Sequence, residues 1–390
     1  MLFRSIMSKK IEQILTDETF REKLIEHANI QIEKFSWEQS AKKAIDALEI
    51  FIDKHEKRKI DKPINRLKLA YVSPLPPQKS GISDYSAELL PFLNEYYDID
   101  VIVEQESISD DWIDENLKVR NIEWFKNNAA TYDRVLYHFG NSHFHQHMFG
   151  LINEYPGTVV LHDFYLGHVI DSMGILNNEL YYSHGYKPLN DEESEFAWNY
   201  PTNKRVLDHS KGIIVHSENS RKLADIWYGD EFSKAWAVIP LLRIPSKKES
   251  KEEIRKKLNI PSNSLVVASF GLLGLTKQNQ KLLDAWLSSS LSKDKNSYLI
   301  FIGENDNSEY GKIIENTIKK SNHESQIKIT GWTDTDLYID YLNISDIGVQ
   351  LRTKSRGETS ASVLDCMNYG LATIVNSNGS MARSEEHTSE

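Results

Sequence analysis

Two successive series of short apolar segments, each alternating with helical stretches, constrain this chain most. The first series runs from LKLAYVS at residue 67 to GIIVHS at residue 212, and the second from SLVVASF at residue 264 to LATIV at residue 371. Most of these segments are continuous apolar runs, which are typical of strands buried on both faces of a parallel sheet. The pattern predicts an α/β protein with two Rossmann-like domains facing each other across a cleft.

Changes in composition set the predicted domain boundaries. Residues 1–62 are predicted to be helical, residues 63–243 to form the first Rossmann-like domain and residues 244–382 the second. Residues 383–390, RSEEHTSE, resemble translated sequencing-adapter DNA, so we expect a non-native tail there.

Charge and cysteine content exclude several classes of protein. The 390 residues carry a formal net charge of -11 and no long basic stripe, which argues against a general nucleic-acid binder. Cys366 is the single cysteine, so no internal disulfide forms and a reducing compartment is favoured. No apolar run approaches the roughly 20 residues of a membrane span. We expect a cytoplasmic protein, and peripheral contact with the inner face of the membrane stays open.

The loop SPLPPQKSGISDYS follows the first predicted strand and opens a helix that Ser83 or Asp84 would cap. Gly81 would allow the backbone to approach a ligand, and the helix N-terminus would favour an anion. A plain strand-to-helix turn is the structural alternative. The loop lacks both the GxGxxG fingerprint and the GK[ST] of a nucleoside triphosphatase.

Histidines gather near the third and fourth predicted strands of the first series, DRVLYHF and GTVVLH. His138, His143, His145 and His147 lie in HFGNSHFHQHMF, and His162 lies in LHDFY. A metal site is one interpretation, but no carboxylate-rich cluster completes the ligand set. We favour His162 as a ligand-binding residue at the carboxyl end of a strand, and packing roles for His143 and His147.

Lys277 follows the first strand of the second series, in SFGLLGLTKQNQKLLDAW. It precedes a helix whose Leu282, Leu283 and Trp286 share one face. A lysine at a helix start can reach a phosphate that also meets backbone N–H groups. An ordinary solvated lysine is the structural alternative.

The motif RTKSRGETSASVLDCMNYGLATIV is the richest in polar candidates. These are Arg352, Lys354, Arg356, Glu358, Thr359, Ser360 and Asp365. Thr359 or Ser360 is predicted to cap the helix SASVLDCMNY, with Gly370 after its end. Glu358 at the helix entrance and Asp365 about two turns along can both accept hydrogen bonds from sugar hydroxyls. Two solvated carboxylates would be the structural alternative.

The ordered set of these motifs resembles a known family. From Leu67 to Ala382 the chain resembles the family 4 retaining glycosyltransferases with the GT-B fold. The pieces are the glycine loop, VVLHDFY, IIVHSENSRK, FGLLGLTK and GETSASVLDCMNYGLATIV. The resemblance implies sugar transfer from a nucleoside diphosphate sugar to a polysaccharide or glycolipid acceptor, without a metal or another cofactor.

The resemblance also implies roles for individual residues. Gly81 would lie near the donor diphosphate and the acceptor, and His162 would lie near the transferred sugar. Lys277 would hold the donor phosphates. Glu358 and Asp365 would bind the donor sugar and the ribose. His162, Lys277 and Glu358 are therefore the predicted catalytic residues.

Two departures from the family pattern bear on activity. Leu272 stands where the family usually has an arginine that pairs with the lysine. Glu358 and Asp365 are one residue closer together in sequence than the acidic pair of the family, and Asp365 stands where the family usually has a glutamate. The missing phosphate charge can be supplied by Arg352 or Arg356, which we count with Thr359 and Ser360 as donor-binding candidates.

The chain ends give a further prediction. Residues 15–51 resemble the closing helices of another glycosyltransferase of the same kind, and the second domain stops before its usual last elements. We therefore expect a fragment of a tandem two-module enzyme. A non-catalytic nucleotide-sugar-binding module is the main alternative function. A metal-dependent hydrolase built on HFHQH and a sugar-nucleotide epimerase are the others.

Overall fold

The computed structural model describes residues 13–14, 16–33, 42, 66–190, 192, 195–241, 243–244, 249–353, 355–376 and 379. They belong to two compact units. One consists of Met1–Ser36, Pro245–Ser355 and Ser360–Glu390, and the other of Trp37–Ile244 and Arg356–Thr359. We name them the five-stranded and the seven-stranded unit after their sheets. Most of the predicted helical segment beyond Glu33, and the predicted tail, lie outside the described residues.

The seven-stranded unit alternates strands and helices. Its strands are β1 (Leu67–Val72), β2 (Tyr97–Val103), β3 (Lys118–Asn121), β4 (Arg134–Phe139), β5 (Thr158–Leu161), β6 (Gly212–Val215) and β7 (Ala237–Val238). After α1 (Glu18–Glu33), which belongs to the other unit, its helices are α2 (Gly81–Leu93), α3 (Asp111–Asn116), α4 (Ile122–Asn128), α5 (Gln146–Glu154), α6 (Gly167–Ser172), α7 (Leu176–His184), α8 (Phe196–Asn199), α9 (Lys204–His209) and α10 (Glu218–Tyr228). Single 3₁₀ turns occupy Ala129–Thr131, His143–His145 and Lys187–Asn190.

The sheet of this unit has the order β3-β2-β1-β4-β5-β6-β7, and its described pairs run parallel. Its central strands carry no exposed side: Leu69, Ala70, Tyr71 and Val72 are all buried. Consecutive buried positions require cover on both faces, which explains the continuous apolar runs in the sequence. Because β4, β5 and β6 are parallel neighbours in the sheet, their carboxyl ends lie side by side.

The five-stranded unit repeats this plan. Its strands are β8 (Leu265–Phe270), β9 (Ser297–Ile302), β10 (Ile327–Ile329), β11 (Ile347–Gln350) and β12 (Ala372–Val375). Its other helices are α11 (Lys251–Lys257), α12 (Asn279–Ser288), α13 (Glu309–Lys320), α14 (Thr335–Ile344) and α15 (Ala361–Asn368), with 3₁₀ turns at Leu275–Lys277 and Ser290–Lys293. The parallel order is β10-β9-β8-β11-β12.

The core of the five-stranded unit contains the predicted helix face. Leu282, Leu283 and Trp286 of α12 are buried in one cluster with strand residues, which confirms that prediction. Phe20 and Leu24 of α1 pack against the same cluster. The helix α1 therefore completes the apolar cover of this sheet, where it contacts α15 and β12.

The two parallel sheets confirm the predicted α/β class. Within the described ranges, no helix is both long and apolar enough to cross a membrane.

Candidate functional site

Lys277 lies at the carboxyl edge of the five-stranded sheet. The strands β8 and β11 are neighbours, so the segments that follow them meet at one edge. Lys277 ends the 3₁₀ turn after β8, and Arg352 follows β11. Ligands of open α/β sheets bind at such an edge.

Hydrogen bonds tie these two segments together. The backbone N–H of Thr353 donates to the carbonyl of Thr276 at 2.9 Å. The Gln278 amide donates to the carbonyl of Arg352 at 2.6 Å. Asn376 also contacts the Arg352 backbone, because its oxygen accepts from the N–H and its amide donates to the carbonyl, both at 2.7 Å. The backbone segments that carry Lys277 and Arg352 are therefore held together by hydrogen bonds.

Glycine is required beneath the Lys277 ammonium. A Cβ atom on Gly271 would lie 2.5 Å from Lys277 Nζ, and Gly271 has φ +95°. The backbone of Gly271 also lies close to Gly303, the residue after β9. A Cβ on Gly303 would lie 2.3 Å from the Gly271 carbonyl oxygen. The absence of side chains here lets the lysine fold back over the loop.

Burial and a neighbouring positive charge shape the electrostatic environment of Lys277. Burial, and secondly the positive charge of Arg352, lower the pKa of Lys277 to about 7. No described carboxylate contributes to this pKa. Two cations placed together cost free energy that a bound anion would recover. Leu272, at the position where a family arginine was expected, is exposed.

The helix α15 carries the second group of candidates in this unit. Ser360 occupies the predicted N-cap position, although its side chain makes no capping hydrogen bond. Gly370 follows the helix with φ +73°, as predicted. Asp365 accepts a hydrogen bond from the Tyr338 hydroxyl at 3.0 Å, which fixes the orientation of its carboxylate.

The segment Arg356–Thr359 belongs to the seven-stranded unit. Ser220 Oγ donates to the Gly357 carbonyl at 2.8 Å. Gly357 has φ +85°, and a Cβ there would lie 2.5 Å from Phe164 Cβ. The Glu358 carboxylate turns back to accept the Arg356 N–H at 2.6 Å.

Arg356 stacks on an aromatic ring of the same unit. Its guanidinium carbon lies 4.0 Å from the centre of the Trp198 ring. The stack and the Glu358 hydrogen bond both contact this segment from within the seven-stranded unit. The structure thus groups Glu358, Arg356 and Thr359 with the seven-stranded unit, and Lys277, Arg352, Ser360 and Asp365 with the five-stranded unit.

His162 follows β5 and is part of a row of buried histidines. His138 Nδ1 lies 3.0 Å from His162 Nε2, and His162 Nδ1 lies 3.1 Å from His216 Nε2. His216 Nδ1 in turn lies 2.8 Å from the Ile239 carbonyl oxygen. The ring of Tyr85 packs against all three imidazoles.

Sequence reasoning missed His216 and the pairing of His138 with His162. The signal was present, because each histidine ends or follows an apolar strand in YHF, VLHD and IVHS. Reading that signal required the strand order, which places β4, β5 and β6 side by side.

Gly81 is the first residue of α2 rather than a loop residue. The prediction that Ser83 or Asp84 caps this helix is wrong, because the Ser80 side chain accepts from the Ile82 N–H. Serine at position 80 already satisfies the first turn, so the helix begins earlier. No described heavy atom lies within 4 Å of a Cβ built on Gly81, so its Cα side is open.

The remaining histidines of the HFHQH stretch have separate partners. His145 Nδ1 lies 2.9 Å from the His138 carbonyl oxygen, and His147 Nδ1 lies 3.1 Å from Glu104 Oε2. His143 is exposed. Among the described residues, no group of three or more His, Cys, Asp or Glu side chains is arranged to hold a metal ion.

Comparison with known proteins finds a family match for the C-terminal part of the chain. Residues 250–389 match the family described as Glycosyl transferases group 1. These residues form a glycosyl transferase group 1 domain. The chain matches no curated protein. The group 1 domain contains Lys277, Arg352, Glu358 and Asp365.

Solved structures share the fold. The Anabaena protein HepE, in complex with UDP and glucose, aligns at 12% identity and a TM-score of 0.59 over 81% of this chain and 82% of HepE. WaaG, a glycosyltransferase involved in lipopolysaccharide biosynthesis, aligns at 12% identity and 0.56 over 82% and 84%. A glycosyltransferase from Rickettsia africae aligns at 15% identity and 0.56 over 82% of each chain. These likenesses confirm the predicted GT-B fold.

Proposed function

We propose that the protein is a retaining glycosyltransferase that moves a sugar from a nucleoside diphosphate sugar to a saccharide or lipid-linked acceptor. In this proposal the reaction takes place in the cytoplasm or at the inner face of the membrane. The observation that carries the proposal is the Lys277–Arg352 pair, two adjacent cations at the carboxyl edge of the group 1 domain. Such a pair complements a diphosphate.

The cation pair would act mainly as the donor breaks. Departure of the diphosphate concentrates negative charge on its oxygens, and Lys277 with Arg352 would stabilise that charge. The N-terminus of α12, which begins at Asn279, adds a positive dipole end beside Lys277. Fixed positive groups of this kind remove the need for a metal ion.

Carboxylates would hold the hydroxyl groups of the donor. Asp365 and Glu358 each present oxygen acceptors: the Tyr338 hydroxyl donates to Asp365, and the Arg356 N–H donates to Glu358. Asp365 would take the ribose and Glu358 the transferred sugar, with Thr359 and Ser360 as neighbouring hydroxyl donors. Arg356 would add charge near Glu358.

The acceptor would be bound by the seven-stranded unit, near Gly81 and His162. The open side of Gly81 at the start of α2 leaves room for a ligand at the helix N-terminus. A donor phosphate oxygen would take the proton of the attacking hydroxyl on the same face of the sugar. That route gives retention without a dedicated protein base.

The donor assignment can be tested with UDP-glucose, the nucleotide sugar bound by the similar protein HepE. We expect Lys277→Ala to lower donor turnover at least about 100-fold, the scale seen when one charge-stabilising group is removed. Lys281→Ala is the matched control, because Lys281 is an exposed lysine in the first turn of α12, four residues after Lys277. Equal turnover in wild type and Lys277→Ala would overturn the phosphate role.

A non-catalytic nucleotide-sugar-binding module is the second candidate. The observation that favours it is the apolar Leu272 in the position of an expected arginine. Binding of UDP-glucose that depends on Lys277, without hydrolysis or transfer to any saccharide acceptor, would support the module and overturn the enzyme.

A further inference from the structure

The histidine row of the seven-stranded unit has one hydrogen-bonding direction. Its three rings come from the ends of the adjacent strands β4, β5 and β6. The row ends on the Ile239 carbonyl, which can only accept, so His216 Nδ1 carries a hydrogen, and in the neutral ring Nε2 is then an acceptor. The end of the row therefore fixes every ring before it.

The acceptor role of His216 Nε2 determines the donor and acceptor roles in the other two rings. Because His216 Nε2 accepts, His162 Nδ1 must donate and His162 Nε2 must accept. His138 Nδ1 then donates to His162 Nε2. All three rings are consequently neutral Nδ1–H tautomers, and both ring nitrogens of His162 are used by other histidines.

Burial keeps this arrangement uncharged. It lowers the pKa of His216 to about 4, and the pKa values of His138 and His162 lie well below their usual range for the same reason. Within the described residues, the other titratable groups in contact are also neutral. Burial raises the pKa of Tyr71 and Tyr85 above the usual value and lowers that of His145 to about 3.

Two charged residues influence Tyr85, whose ring packs against the row. Glu88 and Arg243 form an ion pair with 3.8 Å between Arg243 Nη1 and Glu88 Oε2, and both influence the Tyr85 hydroxyl. Neither residue is among the groups that shift the pKa of His138, His162 or His216. No described charge therefore stabilises a protonated imidazole within it.

We infer that His138 and His216 are positioning residues that hold His162 as a neutral Nδ1–H tautomer, so that His162 contacts substrate without exchanging a proton. The role of His162 at the substrate rests on the proposed glycosyltransferase function, whereas the tautomer does not. His138 and His216 are buried, and each contacts a ring nitrogen of His162.

The tautomer can be measured directly on the full chain labelled with ¹⁵N-histidine. Imidazole ¹⁵N shifts distinguish Nδ1–H from Nε2–H, and we expect the Nδ1–H pattern for His138, His162 and His216 between pH 6 and 8. An Nε2–H or a protonated His162 in the wild-type protein would overturn the inference, without any variant or substrate.

Two substitutions at His216 separate positioning from mere packing. His216→Phe keeps a ring but removes the acceptor, so the His162 Nδ1–H signature should be lost. His216→Gln supplies an amide oxygen that can accept the same hydrogen, so the signature should remain. His143→Phe, at an exposed histidine outside the row, is the control and should leave His162 unchanged.

Activity gives an independent readout. We expect His216→Phe to lower kcat about 10-fold or more with little change in the KM for UDP-glucose, and His216→Gln to restore most of it. The kcat ratio of His216→Gln to wild type should not vary with pH from 6 to 8. A kcat lost equally in both variants while the tautomer is intact in His216→Gln would overturn the positioning role. A wild-type chain without any transfer activity would remove the proposed function and leave the tautomer result standing.

Discussion

The Lys277 ammonium nitrogen lies 2.5 Å from the point where a Cβ atom on Gly271 would be placed. Gly271→Ala would therefore push the ammonium away from its position and also strain a backbone at φ +95°. We expect the variant to bind UDP about 10-fold more weakly, a loss of ~1.4 kcal/mol. Isothermal titration calorimetry with UDP measures this directly.

Gly274→Ala is the matched control for that experiment. Gly274 has extended backbone, and its added methyl would meet only Asp306 Oδ2 at 3.9 Å, an ordinary contact. We expect UDP affinity close to that of the wild type. Equal affinities of folded Gly271→Ala and Gly274→Ala would show that Lys277 does not bind the diphosphate.

The affinity for UDP should depend on pH through Lys277. Its lowered pKa, about 7, means that the free protein loses this proton as the pH rises past neutrality. The anionic diphosphate favours the protonated lysine, so binding should weaken as the pH rises, by about 10-fold per unit once the lysine is mostly neutral.

Lys277→Met provides the comparison, because it removes the titrating group and keeps a similar apolar stem. We expect its UDP affinity to be low and nearly independent of pH from 7.5 to 9. A wild-type affinity that stays flat over the same range would contradict the assignment of the titrating group to Lys277.

Much of the fold could be predicted because burial leaves a strong mark on sequence. Strands such as β1 and β8 are continuous apolar runs, since both faces of each parallel sheet are covered. Two strands were not predicted, because their sequences contain no continuous apolar run. The edge strand β3 is KVRN, with charged side chains, and β7 has two residues.

The candidate site was predicted only where a local signal existed. Lys277 and Glu358 each stand just after an apolar strand or before a capped helix, which is visible in sequence. The partner of His162 was not visible, because His216 lies 54 positions away and meets it only through the strand order. Ser80 rather than Ser83 caps α2. Several serines near the helix start are equally plausible caps in the sequence, and only the backbone geometry distinguishes them.

Gly357 should be essential for packing the Arg356–Thr359 segment on the seven-stranded unit. Gly357→Ala and Gly370→Ala both place alanine at positive φ, which costs about 1–2 kcal/mol. Only at Gly357 would the methyl also clash, at 2.5 Å from Phe164 Cβ. We expect Gly357→Ala to lower the free energy of unfolding by about 1–3 kcal/mol more than Gly370→Ala.

Urea unfolding followed by tryptophan fluorescence compares the two glycine variants. The prediction is contradicted if they lose equal stability, since the difference isolates the clash from the backbone strain. Loss of donor turnover in Gly357→Ala beyond the loss in Gly370→Ala would connect the packing of this segment to the proposed role of Glu358.

Asp365 should contribute to nucleotide affinity through its carboxylate rather than through packing. Its Oδ2 accepts the Tyr338 hydroxyl at 3.0 Å, and because a carboxylate accepts several hydrogen bonds, Asp365 would also receive ribose hydroxyls in the proposed complex. We expect Asp365→Asn to raise the Kd for UDP about 10-fold, as for loss of one charge-assisted hydrogen bond. Tyr338→Phe should raise it only about 3-fold, because the carboxylate stays and only its orientation loosens. Asp336→Asn, at an exposed aspartate on the same helix as Tyr338, is the control. If Asp336→Asn and Asp365→Asn have the same affinity, Asp365 has no specific part in holding the donor.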